Sequence, residues 1–216
     1  MLIGIDVGGT KASALLVDPA TDAIVDRELT SSDGDGPTLV GKLAAMAGSL
    51  RERSPTPVSA VGLGIAGLAE RSGTVAWSPN LRGAVGHPVG PDLERALGLP
   101  VAVGNDATTA TLAEARLGAG RGCDDFALIT LGTGIGGGFV LGGRLQRGAH
   151  GFSGEPGHMV VSADGPVHVT GQRGPWEYYA SGSALGRLGS EAASAGAFDR
   201  GLALAGSPDA VTGFHV

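Results

Sequence analysis

Two short Gly/Thr turns and a small set of carboxylates carry the residue types that could do chemistry in this chain. Asp6-Val7-Gly8-Gly9-Thr10-Lys11 and Gly132-Thr133-Gly134 each lie between runs of β-forming residues. Glycine has no Cβ, so backbone N–H groups at such a turn can converge on an anion, and the Thr10 and Thr133 hydroxyls add donors. A single turn of this kind reads equally as a plain hairpin. Two turns of one plan suit the successive phosphates of a polyphosphate. Asp6 stands two residues before the first glycine. A carboxylate repels phosphate unless a divalent cation stands between them, and Mg²⁺ takes few protein carboxylates beside phosphate and water oxygens. The other reading of Asp6 is an ordinary turn aspartate. Lys11, one of two lysines in the chain, is either a phosphate contact or a solvated charge. Neither turn matches G-x-x-x-x-G-K-[ST] or runs directly into a helix, which excludes a P-loop and a dinucleotide fingerprint.

Further carboxylates and amides lie downstream. Asn105-Asp106 follow an apolar run and open a helical pattern, so one of them caps that helix or Asp106 faces a substrate. Gly154-Glu155-Pro156-Gly157-His158 places a carboxylate and an imidazole in a glycine-rich loop, and Glu177 follows Trp176. Sugar hydroxyls both donate and accept, so paired carboxylates and amides bind them directionally. A loop glutamate is equally a solvated charge.

The elements that must position these groups alternate. "LIGIDV" and "KASALLVD" read as a hairpin, and "DAIVDREL" as a third strand. Leu39, Leu43, Met46 and Leu50 recur at helical spacing between Pro37 and Arg53. "VSAVGLGIAG" is a buried strand, "GTVAWSP" another, and "GPDLERALGLP" a short helix stopped by Gly98 and Pro100. "PVAVGND" is a strand and "DATTATLAEARLGAG" a helix. The class is α/β. "GAGRG" at 118–122 marks the boundary between residues 1–118 and 119–216. "LIGIDVGGTKASALLV" and "ALITLGTGIGGGFVLG" share one strand-turn-strand plan, which suggests a duplicated two-lobed protein. Composition agrees: 42% hydrophobic and 17% charged residues suit a folded protein, and the net charge of −6 leaves no basic footprint for nucleic acid. No apolar run suits a membrane span, no signal peptide opens the chain, and the lone Cys123 excludes an intrachain disulfide. A cytoplasmic location is expected.

"DVGGTK", "GNDATTATLAE", "LGTGIGGGFVLGG" and "GFSGEPGHMVV", in this order, resemble the ROK family of bacterial sugar kinases and repressors. The resemblance implies an actin-like (ribonuclease H-like) two-lobed ATPase fold closing on ATP, Mg²⁺ and a hexose, glucose first, giving glucose 6-phosphate. It implies Asp106 as the base for the attacking hydroxyl. It implies Asn80, Asn105, Glu155, His158 and Glu177 as hexose contacts, and Asp6, Gly8, Gly9, Thr10, Lys11, Gly132, Thr133 and Gly134 as the nucleotide site. N-acetylglucosamine, N-acetylmannosamine and fructose are alternative hexoses, and a non-catalytic sugar-binding remnant is an alternative function. A homodimer is left open. The family's repressors carry a DNA-binding segment before the first strand; here Met1 directly precedes that strand, so no nucleic-acid partner is expected.

Two departures follow. The family's zinc knuckle, C-x-C-G-x-x-G-C, is "HVTGQRGP" here, with His168, Thr170 and Pro175 at the cysteine places. His158 and His168 cannot alone close a four-ligand site, so no zinc is expected; packing around Trp176, Tyr178 and Tyr179 would hold the loop instead. The chain also ends before the later elements of the second lobe, so a truncated lobe with exposed apolar surface is expected.

Overall fold

A computed structural model describes residues 1–216. The chain divides into two units, Met1–Arg121 with Arg147–Ser153, and Gly122–Gln146 with Gly154–Val216. The change at Arg121 lies close to the boundary expected at residue 118. The return of 147–153 to the first unit has no signal in composition.

The first unit is built on a five-stranded sheet. β1 (Leu2–Val7) buries Ile3, Ile5 and Val7 and turns Leu2, Gly4 and Asp6 to its open face. This is the period-two alternation of a half-buried strand. β2 (Lys11–Asp18) and β3 (Ala23–Ser31) continue antiparallel, while β4 (Ala60–Ile65) and β7 (Val101–Asn105) run parallel to β1, giving the order β3-β2-β1-β4-β7. Register sets Asp6 beside Gly64 and Gly64 beside Gly104. The carboxyl ends of the parallel strands therefore finish together, where ligands of open α/β sheets bind. A small hairpin, β5 (Leu68–Ala69) and β6 (Val75–Trp77), follows β4.

Helix α1 (Gly36–Glu52) starts at Asp35, whose side chain accepts from the Thr38 amide at 2.9 Å, and buries Leu39, Leu43, Met46 and Leu50 against the sheet. Burial of each such side chain contributes about 1.5–3 kcal/mol. Helix α2 (Val89–Leu97) ends at Gly98, which takes the left-handed conformation (φ 64°) that glycine adopts without strain. Helix α3 (Asp106–Leu117) leaves the end of β7.

In the second unit β8 (Phe126–Leu131) and β9 (Ile135–Leu141) form the hairpin that carries the second turn, with β10 (Arg144–Leu145) at its edge. The glycines inside β9 answer to packing. A Cβ on Gly137 would lie 2.6 Å from the Leu128 carbonyl and 2.8 Å from Pro156 Cγ. The loop holding Glu155 and His158 therefore lies directly on the strand. Helices α4 (Trp176–Ala180), α5 (Gly182–Ser194) and α6 (Asp199–Ala205) complete the unit. No helix is long and apolar enough to cross a membrane.

Candidate active site

In the first unit the structure brings Asp6, the Gly8-Gly9 turn, Asn80, Asn105 and Asp106 to the carboxyl edge of the sheet. Gly8 donates to the Lys11 carbonyl at 2.9 Å and closes the turn. The Gly9 and Thr10 amides have no acceptor in the chain, which leaves two adjacent donors for an anion. Gly9 does not need a left-handed backbone here. A Cβ at Gly9 would lie 2.8 Å from Asn80 Cβ, so the glycine lets Asn80 close over the turn. Ser78 fixes that segment: its buried hydroxyl donates to the Ala66 carbonyl at 2.6 Å and accepts from the Leu81 amide at 2.9 Å. Lys11 is exposed at the start of β2.

Asn105 is the N-cap of α3. Its Oδ1 accepts from the Thr108 amide at 3.0 Å, and its Nδ2 donates to the Gly67 carbonyl at 3.0 Å and to Asp106 Oδ1 at 2.9 Å. The side chain thus caps the helix, as one reading of its sequence position expected, and also orients Asp106, which the sequence did not suggest. The Ala107 amide also donates to Asp106 Oδ1, at 2.8 Å. Both bonds fall on one oxygen and hold the carboxylate plane.

A helix N-terminus favours the ionised form of Asp106 and so a weak base, but a second force acts on it. Solvent reaches the residue, yet the protein packed around its carboxyl raises the pKa above the ordinary aspartate value; the bonds from Ala107, its own backbone and Asn105 pull it back only in part. Asp6 is raised too, first by burial of its carboxyl and then by the negative charge of Asp106. Such repulsion belongs to the pair and is felt by whichever carboxyl ionises second. Gly64, not singled out from sequence, lies beside both: a Cβ there would lie at ordinary contact distance, 3.7 Å, from Asp6 Oδ1 and Asp106 Cα, but 2.8 Å from the Thr109 hydroxyl, which is the contact that asks for glycine. Glycine inside a strand is the signal that could have found it. Two neighbouring carboxylates, one of them raised by the charge of the other, suit Mg²⁺, which accepts one or two carboxylates beside phosphate oxygens.

In the second unit the Thr133 and Gly134 amides have no acceptor in the chain, while Gly132 donates to the Gly134 carbonyl at 3.0 Å. The start of α5 supports this turn. The Gly182 amide donates to the Gly132 carbonyl at 2.8 Å, and the Ser183 hydroxyl to the Thr133 carbonyl at 2.8 Å. The Gly132 and Thr133 carbonyls point toward the helix, and two of the turn's amides stay available.

Glu155, His158 and Glu177 are brought into one run of contacts, joined by His168. Glu155 Oε2 and His158 Nε2 are 3.9 Å apart, the His158 and His168 rings are 6.4 Å apart, and His168 Nε2 is 3.4 Å from Glu177 Oε1. Sequence reasoning saw His168 only as the place of a lost cysteine. The expected aromatic staple is also incomplete as a description. The loop from 158 to 176 is tied mainly by backbone bonds, including Val161 to the Gly174 carbonyl (2.9 Å), Gly174 to Pro166 (2.9 Å) and Trp176 to Met159 (2.8 Å). Gln172 Nε2 adds a bond to the His158 carbonyl at 2.6 Å. Tyr178 and Tyr179 stack edge to face at 5.3 Å, and the Arg187 guanidinium covers Tyr178 at 4.4 Å.

This α/β architecture, with a carboxylate at the end of a parallel strand and paired glycine turns, is the actin-like fold. The ROK family model matches residues 2–202, and the chain belongs to that family. It is 36% identical over 220 residues to a glucokinase of Streptomyces coelicolor, covering all of this chain and 68% of that protein. It is 35% identical over 184 residues to an N-acetylmannosamine kinase of Citrobacter koseri, covering 85% of this chain and 62% of that one. A ROK glucokinase of Streptomyces griseus, solved with glucose and AMPPNP, superposes with a TM-score of 0.83 at 38% identity, over 99% of this chain and 69% of that one.

Proposed function

We propose that this chain acts in ATP-dependent phosphorylation of a hexose, with glucose as the first substrate. The observation that carries the reading is Asp106: one carboxylate oxygen is held by Ala107 and Asn105, the other accepts no hydrogen bond, and its pKa is raised. A sugar hydroxyl donates its proton to that second oxygen as its own oxygen forms the bond to the γ-phosphorus; the bond from that phosphorus to the ADP oxygen breaks, and ADP leaves. A loose transition state asks chiefly for orientation of this kind, and a raised pKa adds basicity. Asn105 positions Asp106. Asn80, Glu155, His158 and Glu177 bind sugar hydroxyls. The open amides of Gly9 and Thr10, and of Thr133 and Gly134, bind phosphate oxygens, with Lys11 as a further cation beside the first turn. Asp6, with Asp106 near it, would hold Mg²⁺, whose charge offsets that of the phosphates.

Support for a hexose comes from the S. griseus glucokinase complex and the S. coelicolor relative. The N-acetylmannosamine kinase relative makes an N-acetylated hexose the second candidate. The test is ADP release with Mg²⁺-ATP across glucose, N-acetylglucosamine, N-acetylmannosamine and fructose. Release that depends on one hexose, with glucose fastest, is expected. Glucose binding without turnover of any hexose would overturn the kinase reading in favour of a sugar-binding protein.

A further inference from the structure

Glu177 reaches two parts of the second unit at once. Its Oε2 accepts the Ile135 amide at 2.7 Å, immediately after the Gly132-Thr133-Gly134 turn. Its Oε1 lies 3.4 Å from His168 Nε2, in ion-pair range. Both side chains are largely covered, at 13% exposure for His168 and 20% for Glu177. The contact is close enough that a Cβ on Gly134 would collide with Glu177 Oε2. His168 is itself fixed from behind, its Nδ1 lying 3.0 Å from the Thr170 hydroxyl. The ring thus has a neighbour on each side: Nδ1 lies against the Thr170 hydroxyl, and Nε2 faces Glu177 Oε1 across the ion-pair contact. Thr170, His168, Glu177 and the Ile135 amide thus form a continuous polar line from the 158–176 loop to the turn.

We propose that His168 is a positioning residue that orients Glu177, so that the loop carrying His158 and the turn carrying Thr133 are held as one piece. A carboxylate on a flexible side chain would otherwise exchange its Ile135 bond for water. With the imidazole against Oε1, the rotamer that serves the amide is the one retained. Where the turn binds phosphate and the loop binds sugar, as in the kinase reading on which this last step rests, occupancy of one then favours the ordered state of the other.

The test is amide exchange of the unliganded full chain, read at Ile135, in wild type, His168→Ala, His168→Gln and Val169→Ala. Val169 is on the same loop and is exposed. Loss of the contact that holds the Glu177 rotamer predicts Ile135 exchange about tenfold faster or more in His168→Ala. Exchange near the wild-type rate is expected in His168→Gln, whose amide can still donate, and in Val169→Ala. Unchanged Ile135 exchange in His168→Ala overturns the proposal, as does equal acceleration through all of β8 and β9 in both the Ala and Gln variants. In a second arm, AMPPNP and glucose affinities are measured separately and together. His168→Ala is expected to reduce any mutual enhancement seen in wild type. Should wild type bind neither ligand while the exchange pattern holds, the kinase reading fails and the positioning role stands.

Discussion

Replacing Gly9 by Ala tests why the first turn lacks a side chain. The new Cβ would stand 2.8 Å from Asn80 Cβ and 3.3 Å from Asn80 Cγ. The nearer atom is anchored close to the backbone, and the backbone beside it is tied by the Ser78 hydroxyl to Leu81 and Ala66. Asn80 therefore cannot retreat cheaply. Overpacking of this size costs about 1–3 kcal/mol, offset by about 0.4–1 kcal/mol from the stiffer unfolded chain. The net loss is about 1–2 kcal/mol, or roughly 2–8 °C in Tm for a chain of this length. Gly132→Ala is the contrast. Its Cβ meets nothing nearer than the Gly134 carbonyl oxygen at 4.0 Å, so stability is expected to hold or rise slightly. The new methyl still sits beside the open Thr133 and Gly134 amides and should weaken AMPPNP binding. Urea denaturation and calorimetric titration measure the two effects separately. A Gly9→Ala protein as stable as wild type would refute the packing argument. A Gly132→Ala protein with unchanged nucleotide affinity would refute the role given to the second turn.

The remaining predictions concern the acid pair and its supports. Carboxyl NMR titration should show the Asp6 pKa falling in Asp106→Asn, because that charge is one cause of its rise; an unchanged Asp6 titration contradicts the coupling. Both folded pKa values lie above the ordinary one, so this pair favours folding below about pH 3.8 and loses that contribution as pH rises through the folded values. Asp6→Asn should therefore gain stability relative to wild type at neutral pH and not at pH 3, in urea titrations at the two values. Asn105→Ala removes a helix cap and the orienting bond to Asp106, with an expected cost of about 1–2 kcal/mol in urea unfolding and a larger proportional loss in turnover than in glucose affinity. Ser78→Ala leaves the Ala66 carbonyl and Leu81 amide without their partner, a loss of about 1–3 kcal/mol by the same measurement.

Much of the first unit is legible in the sequence because its signals are local. The alternation of Ile3, Ile5 and Val7 marks β1 and places Asp6 on the opposite face. The spacing of Leu39, Leu43, Met46 and Leu50 marks α1, and Gly98 with Pro100 stops α2. Both glycine turns stand where the paired apolar runs put them. What local pattern does not carry is contact across long separations. The approach of Asn80 to Gly9 and of Glu177 to Gly134 spans dozens of residues, and so does the docking of Gly182 and Ser183 on the second turn. The glycines were legible as a sign of close approach, but not what approaches. At Gly9 and Gly134 the partner is a side chain, Asn80 and Glu177, that a Cβ would displace, whereas Gly132 has no such neighbour. His168 was least legible, because a histidine between Val167 and Val169 has no periodic or motif signal of its own, and its role comes from Glu177 nine residues on. The balance of forces on Asp106 was also hidden: the helix terminus is visible in sequence, whereas the burial that outweighs it is a property of the folded unit.

The most direct measurement is steady-state ADP release with glucose and Mg²⁺-ATP for wild type and Asp106→Asn, alongside glucose affinity for both. A positioned base predicts a loss of about 10²–10⁴ in kcat with glucose binding retained within a fewfold. Turnover in Asp106→Asn equal to that of wild type would contradict the central claim that this carboxylate takes the proton of the sugar hydroxyl.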